Sequence, residues 1–114
     1  MNHQNYKELT TDIRKHAGIL REEVPAVMKG FNEMSTGAIA EGALSPKTKE
    51  LIALALGVAA HCDGCLGFHT QALVKMGASR AEVAEALGVA VYMGGGPSLM
   101  YAASAMKAFE EAAG

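Results

Sequence analysis

Apolar residues recur along this chain at steps of three and four, the spacing that gathers one face of an α-helix. No stretch shows the sustained alternation of a half-buried strand. Tyr6 to about Ala17 predicts a first helix, with Leu9, Ile13 and Ala17 four apart on one face and Gly18 breaking the pattern. From about Glu22 to Ala40, Val24, Val27, Met28, Phe31, Met34 and Ala38 make one apolar stripe, and Pro25 is tolerated because it falls in the first turn. Gly42 closes that helix, and Ser45-Pro46 opens another with a hydroxyl cap and a proline at the first helical position. Leu51 to Ala60 is apolar all round, which predicts a central helix buried on most sides, with Gly57 letting a neighbour come close. A fourth helix is expected from about Cys62 to Lys75, stopped by Gly77. Ser79 and Glu82 form an S-x-x-E capping box for a fifth, whose inward face is Val83, Ala86, Leu87, Ala90 and Val91. Gly94-Gly95-Gly96-Pro97 breaks and restarts the chain, after which Leu99, Ala103, Met106 and Phe109 line a last helix. The expectation is an all-α domain over residues 1–114, a compact bundle of about six helices.

Composition narrows the class. Hydrophobic residues make up 50% of the 114 and charged residues 19%, which excludes disorder. So short a chain has much surface for its volume and few charges to cover it, so part of its apolar face is expected to lie inside a homo-oligomer. A net charge of -2 leaves no basic footprint for phosphate backbones, so nucleic acid is not an expected partner. The polar N-terminal stretch MNHQNYKELTTDIRKH has no apolar signal core, and the longest apolar run is about half of the ~20 residues that span a bilayer. No membrane association and a cytoplasmic location are the resulting expectations. In that reducing setting two cysteines are not a structural staple.

Both cysteines sit in Cys62-Asp63-Gly64-Cys65, and the chemistry is sought there. On a helix, Cys62, Cys65 and His69 fall within a wedge of roughly 60°. Residues three apart have Cα atoms about 5 Å apart, inside the window for a disulfide. His69, one turn beyond Cys65, can reach its thiol directly or through one water. The helix start stabilises a thiolate at either cysteine. His69 favours Cys65 as the attacking thiol with Cys62 resolving, whereas a thioredoxin-like pattern favours the reverse. Glu50 opens the most apolar helix, where a carboxylate needs a partner, and it could complete a relay of carboxylate, imidazole and thiol.

Plainer readings stand beside these. The thiols could be inert small hydrophobes, or ligands of a zinc ion, although Cys62, Cys65 and His69 span about 10 Å of helix axis and zinc wants four donors at ~2.0–2.3 Å. Glu50 could pair with Lys47 or border Lys49 on the surface, and His69 could be a core histidine. His3 and His16 lie in polar surroundings and are read as solvated. The triple glycine at 94–96 is no phosphate loop and reads as a tight turn between helices. Met28, Met34, Met93, Met100 and Met106 fall on apolar stripes and read as core or subunit interface, and Tyr92 and Tyr101 fit a pocket lining as well as packing.

Glu50, eleven intervening residues, Cys62-x-x-Cys65 and then His69 together resemble the core of the alkylhydroperoxidase D-like (AhpD-like) proteins of the carboxymuconolactone decarboxylase superfamily. The likeness spans about Leu44 to Tyr101, including LSPKTKELIALA, HCDGCLGFHTQALVKMGAS and EVAEAL. The resemblance implies an all-α fold assembling as trimers or hexamers, and an antioxidant thiol-dependent peroxidase or disulfide reductase. It implies that Cys65 attacks a small hydroperoxide or a partner protein's disulfide, Cys62 resolves, and Glu50 and His69 relay the proton. No bound cofactor is expected, and an external dithiol of the lipoamide kind is the expected reductant. The resemblance is incomplete at Gly64, where the best-studied members of that group carry a histidine just before the second cysteine, so full peroxidase efficiency is in question. His61 could substitute in part, about 100° off the cysteine face. Decarboxylases proper lack the cysteine pair, which argues against lactone decarboxylation. The alternatives are a metal-binding or structural oligomer without turnover, and a decarboxylase-like enzyme on the same fold.

Overall fold

Among the described residues there are six helices, and four of them begin on a side chain that accepts a hydrogen bond from their own first turn. In the computed structural model, which describes residues 5–114, Asn5 caps α1 (Tyr6–Glu23), Ser45 caps α3 (Pro46–Ala59), Cys62 caps α4 (Asp63–Lys75) and Ser79 caps α5 (Arg80–Gly94). The other two, α2 (Pro25–Ile39) and α6 (Gly96–Ala113), lack such a cap and start instead on proline in the first turn, where its missing N–H has no intrahelical partner to lose. The expected capping box is complete: Ser79 Oγ accepts from Glu82 N at 3.1 Å, and Glu82 Oε1 accepts from Ser79 N at 2.8 Å. The triple glycine is the tight turn expected, with Gly95 at φ 72° as the single residue between α5 and α6.

Helix α4 lies at the centre, packed on α1, α3 and α6, while α5 closes against α3 and α6. Leu54, Val58, Leu66, Leu73 and Val83 are wholly buried where these helices meet, joined by Leu87, Ala105 and Phe109. Each buried Leu or Val stabilises the fold by roughly 1.5–3 kcal/mol relative to leaving it exposed. Small residues set how close α1 comes to α4. A Cβ on Gly67 would stand 2.6 Å from Thr10 Cγ2, and one on Gly64 would stand 2.8 Å from Ile13 Cδ1. The ion pair Lys47–Glu82, at 2.9 Å, ties α3 to α5, and Lys49 Nζ donates to Ala40 O at 2.6 Å across the link from α2 to α3.

Several local expectations need correction. Gly18 does not end α1, which runs on to Glu23, because no neighbour or turn forces a break there. The apolar stripe of α2 is not turned inward: α2 buries no residue, and Val27, Phe31 and Met34 stand in the open. Nor is α3 enclosed on most sides, since Ile52 and Leu56 are exposed opposite buried Leu54, Gly57 and Val58. On α6 the inward face is Ser98, Ala102, Ala105, Ala108 and Phe109, which leaves Leu99 and Ala103 outside. His3 lies outside the described residues, and His16 is exposed as expected.

Candidate functional site

The site is built where α3 hands over to α4. After Ala59 the chain closes a Schellman motif: His61 N donates to Val58 O at 3.1 Å and Cys62 N donates to Gly57 O at 3.0 Å. The left-handed position of that motif is usually glycine, but here it is His61, at φ 55°. A histidine tolerates this region better than most side chains, at a cost of order 1–2 kcal/mol. The His61 ring lies on the Tyr101 ring of α6, with centroids 4.7 Å apart and planes 9° from parallel.

Cys62 therefore serves two helices. Its N–H satisfies the end of α3, and its Sγ, as N-cap of α4, accepts from Cys65 N at 3.2 Å. Cys62 and Cys65 are joined as a disulfide, with Cα atoms 5.2 Å apart, as the three-residue helical spacing allows. A Cβ on Gly57 would be 2.9 Å from Cys65 Cβ, so the glycine is what lets α4 bring this sulfur against α3. That is the close approach expected of Gly57.

Glu50, on the second turn of α3, is 7% exposed, and its carboxylate does not pair with Lys47 or Lys49. Its Oε1 instead lies 2.6 Å from His69 Nδ1, one helical turn beyond Cys65. That bond commits Nδ1 to the carboxylate and leaves Nε2 as the ring nitrogen able to exchange a proton elsewhere. All four residues singled out from the sequence, Glu50, Cys62, Cys65 and His69, thus lie on the facing α3 and α4 or at the corner between them. Among the described residues no group of three His, Cys, Asp or Glu side chains is arranged to hold a metal ion.

The surroundings contain features the sequence did not announce. Ile13 of α1 occupies the space beside Gly64, so a larger residue there would have to displace it. Asp63, between the cysteines, has a buried Oδ1 without a hydrogen-bond partner. Burial raises the phenol pKa of nearby Tyr6, opposed by its Ser104 hydrogen bond and reinforced by the negative charges of Asp63 and Glu111. The sequence carries no signal for these features, because Ile13 and Tyr6 come to the corner from a helix far back in the chain. No described helix is long and apolar enough to cross a membrane.

Comparison with known proteins agrees with this geometry. Residues 25–108 match the model of the carboxymuconolactone decarboxylase family, a span that holds α2 to α5 and most of α6 but not α1. The fold superposes on the crystal structure of apo-lpg0406, a carboxymuconolactone decarboxylase family protein from Legionella pneumophila, with a TM-score of 0.94 and 54% identity over 96% of this chain and 97% of that one. An uncharacterized protein of Cupriavidus necator is 39% identical over 104 residues, covering 91% of this chain and 92% of its own. The protein called uncharacterized protein 4 in the cox locus of Paracoccus denitrificans is 32% identical over 81 residues, 71% of this chain and 73% of its own. With its six-helix fold and its paired cysteines at disulfide distance, this chain is a member of the carboxymuconolactone decarboxylase family, and through it of the AhpD-like superfamily.

Proposed function

We propose that the protein is a thiol-dependent oxidoreductase that cycles Cys62 and Cys65 between dithiol and disulfide, reducing a small hydroperoxide or a partner's disulfide. The observation that carries this reading is the 2.6 Å bond between Glu50 and His69, one turn from a cysteine already paired with its neighbour. A buried carboxylate that orients an imidazole beside a thiol supplies a base for that thiol and later an acid for the leaving group.

In the reduced protein His69 takes the Cys65 proton at Nε2, and Glu50 stabilises the imidazolium that results. The Cys65 thiolate attacks the O–O bond of the hydroperoxide; sulfur gains oxygen as a sulfenic acid, and the alkoxide leaves as an alcohol with the proton returned by His69. Cys62 then attacks the sulfenic sulfur, the S–S bond forms, and water departs. Two electrons from an external dithiol of the lipoamide kind restore the pair. No bound cofactor takes part. The exposed apolar faces are covered in a homo-oligomer, and the protein works in a reducing cytoplasm.

The test is a free-thiol titration of reduced protein before and after one equivalent of hydroperoxide. Loss of two thiols per chain, reversed by dihydrolipoamide, is the expected result, and Cys65→Ser abolishes it. Thiols that stay unreactive, or full turnover in Cys65→Ser, would defeat the reading.

A further inference from the structure

Among the described residues, the one in the left-handed region that is not glycine, His61, stands directly before Cys62, and its ring is stacked on a side chain anchored in another helix. Tyr101 packs against the hydrophobic core, whereas His61 is exposed. The stack therefore fastens a strained, solvent-facing corner to the rigid part of the fold. That corner holds the Cys62 sulfur over the Cys65 N–H through two backbone bonds and one cap.

We propose that His61 and Tyr101 are positioning residues for Cys62, holding its sulfur within reach of Cys65 so that the disulfide closes before Cys65 can be oxidised twice. The proposal rests on the redox reading above. After the first turnover two reactions compete for the Cys65 sulfenic acid. In one, the Cys62 sulfur attacks it, the S–S bond forms, the S–O bond breaks and hydroxide leaves to become water. In the other, a second hydroperoxide transfers oxygen to the same sulfur, which becomes a sulfinic acid while the peroxide becomes an alcohol. The first is intramolecular, and its rate follows how well the corner holds Cys62 in place. The second is indifferent to the corner.

Three variants separate these contributions. Tyr101→Phe keeps the stacked ring, Tyr101→Ala removes it from α6, and His61→Gly removes it from the corner while accepting the left-handed backbone without strain. Reduced proteins are treated with excess tert-butyl hydroperoxide, and Cys65 sulfinic acid is measured by mass spectrometry, with thermal unfolding as a check on folding. Tyr101→Phe should match the parent, and both Tyr101→Ala and His61→Gly should raise the sulfinic fraction at least about threefold. If both resolve as cleanly as the parent, the proposal is wrong. Should Tyr101→Ala fail to fold, His61→Gly decides alone.

A parent protein that loses no thiols to peroxide would instead defeat the redox reading. The clamp is then judged by the equilibrium of the Cys62–Cys65 disulfide with glutathione. Disulfide formation should fall by a similar factor in Tyr101→Ala and His61→Gly and hold in Tyr101→Phe; an unchanged equilibrium overturns the clamp.

Discussion

Gly57 and Gly64 both face a neighbour where a methyl group would stand, and the two neighbours differ in how far they can yield. Beside Gly57 is the Cβ of Cys65, fixed by its own helix; beside Gly64 is the far end of the Ile13 side chain, which can rotate away. Gly57→Ala should therefore destabilise the protein by about 1–3 kcal/mol through overpacking. Gly64→Ala should change stability by less than about 1 kcal/mol, because the gain in helix propensity offsets the displaced side chain. Denaturant unfolding of the oxidised protein measures both, and equal losses would contradict this ranking. Sequence alone marks Gly57 as a place of close approach, since it sits in an apolar helix. It says nothing of Ile13 over Gly64, because that contact depends on how α1 crosses α4. The same division runs through the site itself: the spacing of Glu50, Cys62, Cys65 and His69 is local and readable, while the Tyr101 ring under His61 arrives from a helix far along the chain.

Helix starts were the most legible elements because capping is a matter of three or four consecutive residues. Ser45, Pro25 and the Ser79–Glu82 box each act as their spacing implies. Helix faces were less legible, since an apolar stripe shows that a face wants cover without saying which neighbour supplies it. Hence the reversed outcome on α2 and the displaced inward face of α6. The capping box also carries a pH signature. The Ser79 backbone N–H and, after it, the Lys47 ammonium hold Glu82 below its usual value of 4.5. A carboxylate depressed by folding contributes stability that is complete above its unfolded pKa and is lost as pH falls through the lower folded value. Thermal midpoints measured from pH 7 down to pH 3 should accordingly fall less steeply in Glu82→Gln than in the parent, and the two curves should draw together at the acid end. Parallel curves would remove Glu82 from the acid response.

On the scale of the whole molecule, many large apolar side chains stand exposed among the described residues. Val27, Phe31 and Met34 make a stripe on α2, and Tyr92 and Met93 of α5 and Met100 of α6 are exposed as well, Tyr92 at 83%. Contiguous surfaces of this kind mark association sites in soluble proteins. Sedimentation should find the parent assembled, with Phe31→Glu shifting it to smaller species; a monomeric parent would end the expectation of a homo-oligomer. The shortage of charged residues leads to the same expectation, but composition names no helix. The corner at Cys62 bears on the whole molecule too. One residue ends α3, begins α4 and carries one sulfur of the disulfide, so the connection has no slack. An inserted residue would swing α4 by about 100° about its axis, and a deleted one would swing it as far the other way. Either change takes both His69 and Cys65 off the face that meets α3. The join can be rewritten in side chains but not in length, and it works as a spacer whose gauge is set to a single residue.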